Sequence, residues 1–294
     1  LLMHLIWSAL VVVVLSLYYD HRLINVRKAK NVGTEWEDMS SAFAETAIKN
    51  ALKHGKPSAI FLGSSVTYGY PWQERVAFTK LVAEKLPDWQ ISNLSIVGAG
   101  MRALTDFATC SLTASHRPDV LIVEIPLVNS TSSISTNDPI SGRKCANNFI
   151  HGLGYWQLTI TRPYGLGWVS LLWDEESYEK GDSDLVITKL PSTYFATSER
   201  FNSIKSRYTS ELEEHLSTIS NMGNQVFAYI SPIYTPAIEI AGGDRSAVEE
   251  QIGLSLEICK RNGRVICLDM SQFGTRRELF YNLTHLNQRG HRAL

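Results

Sequence analysis

The chain has 294 residues, 44% hydrophobic and 19% charged, with a formal net charge of -1. This suits one large α/β domain or two small ones with an ample core. The absence of any basic block or dense Lys/Arg face argues against a nucleic-acid partner.

From Leu1 to Tyr19 there is no Asp, Glu, Lys or Arg, and Val11 to Val14 run together. About 20 apolar residues span a bilayer as a helix, and Tyr18 and Tyr19 fall where an interfacial aromatic belt would sit. Residues 1–19 therefore read as a transmembrane anchor. A cleaved signal peptide competes, but no small-x-small site precedes Asp20. A buried soluble helix fits least, because the stretch has no polar face. Arg22, Arg27, Lys28 and Lys30 follow; the positive-inside rule would hold them in the cytoplasm. Charges ahead of Leu1 would count as well, so charge alone leaves the orientation open.

Residues 20–57 read as a linker and an entry helix capped by Ser40 or Ser41 and running to about Lys53. The apolar run from Ser58 to Leu62 then reads as a buried strand ending in Gly63, Ser64 and Ser65. A serine at the tip of such a strand, ahead of a helix, can act as a nucleophile, with the turn's N–H groups holding an oxyanion. Either serine can equally cap a helix. A helix is expected over Trp72–Leu86, where Pro87 stops it. A strand over Ile91–Ile96, a helix over Ala103–Ser115 and a strand over Val120–Ile125 follow. Strands alternating with helices predict right-handed βαβ units and a parallel sheet.

Residues 129–198 break this rhythm with a polar run and then Phe149, Tyr155, Trp156, Tyr164, Trp168 and Trp173. That is too long for a plain connection. It reads as an insertion: a lid, a substrate wall, a membrane-facing surface or a packing element over the sheet. Helix Glu199–Asn221, strand Gln225–Ile230, helix Arg245–Arg261 and strand Val265–Leu268 complete the pattern.

Cys110, Cys145, Cys259 and Cys267 match no zinc or CxxC spacing. Buried free thiols suit at least two of them; a disulfide would need a domain outside the cytoplasm, and spacing does not assign the pair. Among eight histidines, His4 falls in the anchor, His151 in the insertion and His291 in a final helix. His54, His116 and His215 read as helix-end or surface residues. His285 differs, lying in the loop after the last strand. Such loops converge on the carboxyl edge of an open α/β sheet, where ligands bind, and Ser65 sits at that edge too.

At this point the chain resembles the SGNH (GDSL-like) hydrolases. Gly63-Ser64-Ser65-Val66-Thr67-Tyr68-Gly69 is similar to their first block, with Ser64 replacing the usual Asp. Asn282-Leu283-Thr284-His285-Leu286-Asn287-x-x-Gly290 is similar to the last, with Asn282 replacing Asp. Asn93 to Gly98 is similar to the second block, and Pro118 to Val123 to the strand leading to the third. Over residues 58–294 the resemblance implies a three-layer α/β/α fold with a flavodoxin-like, mostly parallel sheet. It makes Ser65 the nucleophile and His285 the general base, with the Ser65 N–H, Gly98 and Asn129 as oxyanion donors. Asn129 falls one residue late for that role. Asn282 can orient the imidazole but supplies no charge, and could hold the wrong tautomer. It either serves as a weaker third member, is replaced by Glu278 or Asp269, or leaves the site slow or inactive.

With the anchor, the chain resembles membrane-tethered members of that family that modify bacterial envelopes, as in D-alanine transfer to teichoic acid or O-acetylation of alginate and peptidoglycan. They face outside the cytoplasm and partner multi-pass O-acyltransferases. The expectation is a serine esterase or O-acyltransferase acting on acyl esters, acetyl above all, of a cell-surface glycan. The alternatives are a lipase or esterase on small or lipid esters, and a non-catalytic scaffold. No metal and no cofactor is expected.

Overall fold

The computed structural model describes residues 34–35, 56–69, 77–97, 99–112, 117–127 and 197–294. The anchor expected at 1–19, most of the linker and entry helix, and the aromatic-rich insertion lie outside the described residues, as do Gly98 and Asn129. Among the described residues no helix is long and apolar enough to cross a membrane.

Five strands form one parallel sheet: β1 (Ser58–Leu62), β2 (Gln90–Asn93), β3 (Val120–Ile125), β4 (Gln225–Ile230) and β5 (Val265–Leu268). Their order is β2-β1-β3-β4-β5. This is the flavodoxin-like doubly wound order, whose switch point between β1 and β3 opens a crevice at the carboxyl ends of the strands. The helices are α1 (Ser65–Tyr68), α2 (Phe78–Lys85), α3 (Met101–Ser111), α4 (Ser198–Ile219), α5 (Arg245–Arg261) and α6 (Gln288–Ala293).

Alternation of side chains along each strand divides the core into two faces. Ile60 and Leu62 of β1, with Leu121, Val123 and Ile125 of β3, face the main core, shared with Leu104 of α3, Phe201 and Leu216 of α4 and Val248 of α5. Ala59 and Phe61 face the opposite side, against Phe78 of α2, Ile91 and Tyr229. Burial on both faces explains why these strands are almost continuously apolar.

Two elements differ from the sequence reading. The expected strand 91–96 ends at Asn93, and Ile96–Val97 pairs instead with Thr34–Glu35 in a separate two-stranded ladder. The cause lies at Asn93, whose Oδ1 accepts the N–H of Ser95 at 3.1 Å and turns the chain. The helix expected at Trp72–Leu86 is described from Phe78 onward, and a short helical turn, α1, follows the turn at the end of β1. Cys259, near the end of α5, is disulfide-bonded to Cys267 of β5. This assigns one pair that spacing left open; Cys145 and the Cys110 side chain lie outside what is described.

Leu121 is fully buried at the centre of β3. Leu121→Ala is expected to lower stability by about 2–5 kcal/mol, read from the midpoint of urea denaturation with an unchanged slope.

Candidate active site

The turn that carries Ser65 is built by its neighbours. β1 ends at Leu62, and Gly63 follows because nothing larger fits. A Cβ there would lie 2.5 Å from Glu124 Oε2 and collide with the Thr67 side chain. Ser65 then opens α1 and is half-buried. Among the described residues no acceptor meets the N–H groups of Ser65 and Val66, which stand at the start of that helical turn. The chain next to Ser65 is held by Glu124, a fully buried residue of β3. Its carboxylate accepts the N–H of Ser64 at 2.7 Å and of Thr67 at 3.2 Å. It also accepts hydrogen bonds from the hydroxyls of Ser64, Thr67 and Ser231. From β2, Asn93 Nδ2 donates to the Thr67 carbonyl at 2.9 Å.

The other half of the site is a loop from 280 to 287, closed by an antiparallel bridge between Phe280 and Leu286. Asn287 caps α6 by accepting the Gly290 N–H at 2.9 Å, while its Nδ2 donates to the Glu278 carbonyl at 2.9 Å. Gly290 lies tight against Leu279 and Leu286, and a Cβ there would fall 2.8 Å from Leu286 Cβ. The two halves are joined by a small apolar cluster in which Val66 of α1 packs with Leu279, Phe280 and Leu286.

These supports bring Ser65, His285 and Asn282 together. Ser65 Oγ lies 2.8 Å from His285 Nε2, and His285 Nδ1 lies 3.0 Å from Asn282 Oδ1. The same Oδ1 accepts the backbone N–H of Thr284 at 3.0 Å and of His285 at 2.9 Å. A backbone N–H can only donate, so the amide must turn its oxygen toward them. That oxygen faces Nδ1, which therefore carries the imidazole proton and leaves Nε2 free to accept from Ser65. The amide selects the tautomer that a general base needs, so the wrong-tautomer outcome does not arise. Asn282 Oδ1 occupies the third place at Nδ1. Of the two alternative acids, Glu278 is an exposed residue paired with Arg276 at 2.8 Å, and Asp269 lines a cavity beside Ser231 and Thr235. Among the described residues no cluster of His, Cys, Asp or Glu could hold a metal ion.

No family model matches the chain, and no curated protein does. Solved structures similar to it include a member of the lipolytic G-D-S-L family from Veillonella parvula DSM 2008. That likeness is 12% identity over 80% of this chain and 92% of that one, with a TM-score of 0.45. A catalytic mutant of an acetylxylan esterase from Geobacillus stearothermophilus is 11% identical over 80% and 89%, with a TM-score of 0.46. An α/β hydrolase from the metagenome of Lake Arreo, Spain, is 11% identical over 80% and 90%, with a TM-score of 0.43. Likeness of this degree leaves the chemistry to be read from the chain's own residues.

Glu124, Asn93 and Ser231 are the contributors that sequence reasoning missed. Glu124 had a visible signal, since a lone acid inside a run as apolar as Val120–Ile125 cannot be buried without partners. Asn93 opens the stretch similar to the second block, but its role left no signal in the sequence; Ser231 had none beyond its position at a strand end.

Burial sets the electrostatics of His285. His285 is 9% exposed, and desolvation brings its imidazole from 6.5 down to about 4. His291 of α6, stacked on Phe78 at 6.2 Å, is brought down to about 3 by burial and then by the neighbouring His285. Neither His291 ring nitrogen has a hydrogen-bond partner among the described residues. Both rings are neutral when folded but bind a proton near 6.5 when unfolded. Their contribution to stability is therefore complete above pH 6.5 and is lost as pH falls toward the folded-state values. Melting midpoints are expected to drop steeply between pH 6.5 and 4, and His291→Phe is expected to flatten that slope. An NMR titration of the ring protons should place the His285 midpoint well below 6.5.

Proposed function

We propose that this protein is a serine esterase that works through an acyl-enzyme on Ser65. The observation that carries the reading is the aligned chain from Ser65 Oγ to His285 Nε2 at 2.8 Å and from Nδ1 to Asn282 Oδ1 at 3.0 Å. A serine hydroxyl is a weak nucleophile until a base takes its proton as it attacks. In the reaction Ser65 Oγ bonds to the acyl carbon and its proton moves to His285 Nε2. The tetrahedral oxyanion accepts from the Ser65 and Val66 N–H groups, which meet no acceptor among the described residues. Collapse expels the alcohol, which takes the proton back from His285. A second acceptor then attacks the ester on Ser65 and gives its proton to His285; the acyl–Oγ bond breaks and Ser65 Oγ takes that proton back, water giving hydrolysis and a sugar hydroxyl giving transfer.

Asn282 shapes the energetics of this cycle. It fixes the ring and its tautomer, but it offers the imidazolium only a dipole, where a carboxylate would offer a charge. Burial adds to that cost of charging the ring. The result is a base that is fully unprotonated at neutral pH yet weak, so its proton-transfer contribution is below that of a base matched to the working pH.

For the substrate we propose acyl esters, acetyl above all, on a cell-surface glycan, with the domain outside the cytoplasm, anchored through residues 1–19 and working beside a multi-pass membrane acyltransferase. The apolar stretch at Leu1–Tyr19 supports the anchor. The Cys259–Cys267 disulfide supports an oxidising compartment, because such bonds are rare in the cytoplasm.

A fluorophosphonate probe is expected to label the wild-type chain, with the mass shift on the peptide containing Ser65 and no label in Ser65→Ala. Absence of label on the folded wild type would overturn the reading. Acetyl release from an acetylated glycan, compared with a nitrophenyl ester, separates glycan from small-ester specificity. Asn282→Asp is expected to raise kcat at neutral pH by about tenfold or more, because a carboxylate stabilises the imidazolium. The acid limb of the pH–rate profile should move to higher pH with it.

A further inference from the structure

The catalytic trio does not account for a fully buried carboxylate 60 residues from the nucleophile turn in sequence but in contact with it. Glu124 enters from β3, on the face of the sheet that also carries Tyr229, its register partner on β4. Its Oε2 accepts the N–H of Ser64 at 2.7 Å, the N–H of Thr67 at 3.2 Å and the Thr67 hydroxyl; its Oε1 accepts the hydroxyls of Ser64 and Ser231. Tyr229 stays a protonated donor, its hydroxyl held well above its ordinary range by burial and then by Glu124's charge, and it extends the network to Thr67.

We propose that Glu124 is the positioning residue of the nucleophile turn. Its two N–H contacts bracket Ser65, one residue before and two after. They fix the backbone from which Ser65 Oγ reaches His285. They also consume the turn's N–H groups at Ser64 and Thr67, so that, among the described residues, those of Ser65 and Val66 are the ones left without an acceptor and open to an oxyanion. Ser64, in the place where the resembled family carries an acid, is what makes this possible. A second carboxylate at 64 would point its charge at Glu124 and lose the hydroxyl that now donates to it. Serine at 64 instead gives Glu124 both an N–H and a hydroxyl donor.

The catalytic side of this proposal rests on the esterase reading, so its test has one arm that needs no turnover. The 15N shift of His285 Nε2 reports the hydrogen bond from Ser65, and Ser65→Ala sets its value when that bond is absent. In folded Glu124→Met the shift is expected to move most of the way to the Ser65→Ala value. In Glu124→Gln, which keeps one oxygen for the two N–H groups, it should move only part of the way. In kinetics with a nitrophenyl ester, well below each melting midpoint, Glu124→Met should lose about 100-fold in kcat with KM changed less than about threefold. Glu124→Gln should recover at least about tenfold of that loss. Ser64→Asp should lose activity that Ser64→Asp combined with Glu124→Gln partly restores. A wild-type shift in folded Glu124→Met overturns the proposal. Should that variant not fold, a wild-type shift in Glu124→Gln does the same. A wild type that neither labels nor turns over, while the shift still moves as expected, overturns the esterase reading and leaves Glu124's positioning role standing.

Discussion

The site depends on one buried negative charge meeting a set of donors that all point at it. A carboxylate without water is expensive unless its lone pairs are filled, and Glu124 fills its own with two backbone N–H groups and three hydroxyls. The five donors come from three residues: Ser64 and Thr67 of the turn after β1 give an N–H and a hydroxyl each, and Ser231 just beyond β4 gives a hydroxyl. The carboxylate can be satisfied only when three neighbouring strands are in register. The same contact that makes the strand tips agree therefore also places Ser65, which ties the sheet's assembly to the geometry of the site.

The second half of the site arrives by packing. Val66 on the nucleophile turn and Leu279, Phe280 and Leu286 around the histidine loop share one small apolar cluster. Gly290 and the Asn287 cap then fix the loop against α6. Polar contacts hold the serine side, apolar contacts join it to the histidine side, and the 2.8 Å hydrogen bond between them is the outcome of both.

Asn282 serves two purposes with one oxygen. By accepting the N–H groups of Thr284 and His285 it forms the turn that carries the histidine, a role that asparagine and aspartate fill equally well. By facing Nδ1 it selects the tautomer. Only the stabilisation of a positive ring separates asparagine from aspartate here, and burial already disfavours that ring's charge. The loop is organised around a neutral imidazole.

Sequence alone determined the alternation of strand and helix, because continuously apolar runs bounded by Gly and Pro can be little else. It also determined that Ser65 and His285 would lie at the carboxyl edge, because parallel connections put every such loop there. The tertiary structure alone decided three things. The short strand at Gln90–Asn93 gives way to a turn at Asn93 through a side-chain contact two residues away. The orientation of the Asn282 amide follows from backbone donors that exist only once the loop has closed. The partners of Glu124 are 57 to 107 residues distant in sequence. A lone acid in an apolar strand announces that it needs donors, but which donors answer depends on strand order and register, and those are properties of the folded sheet.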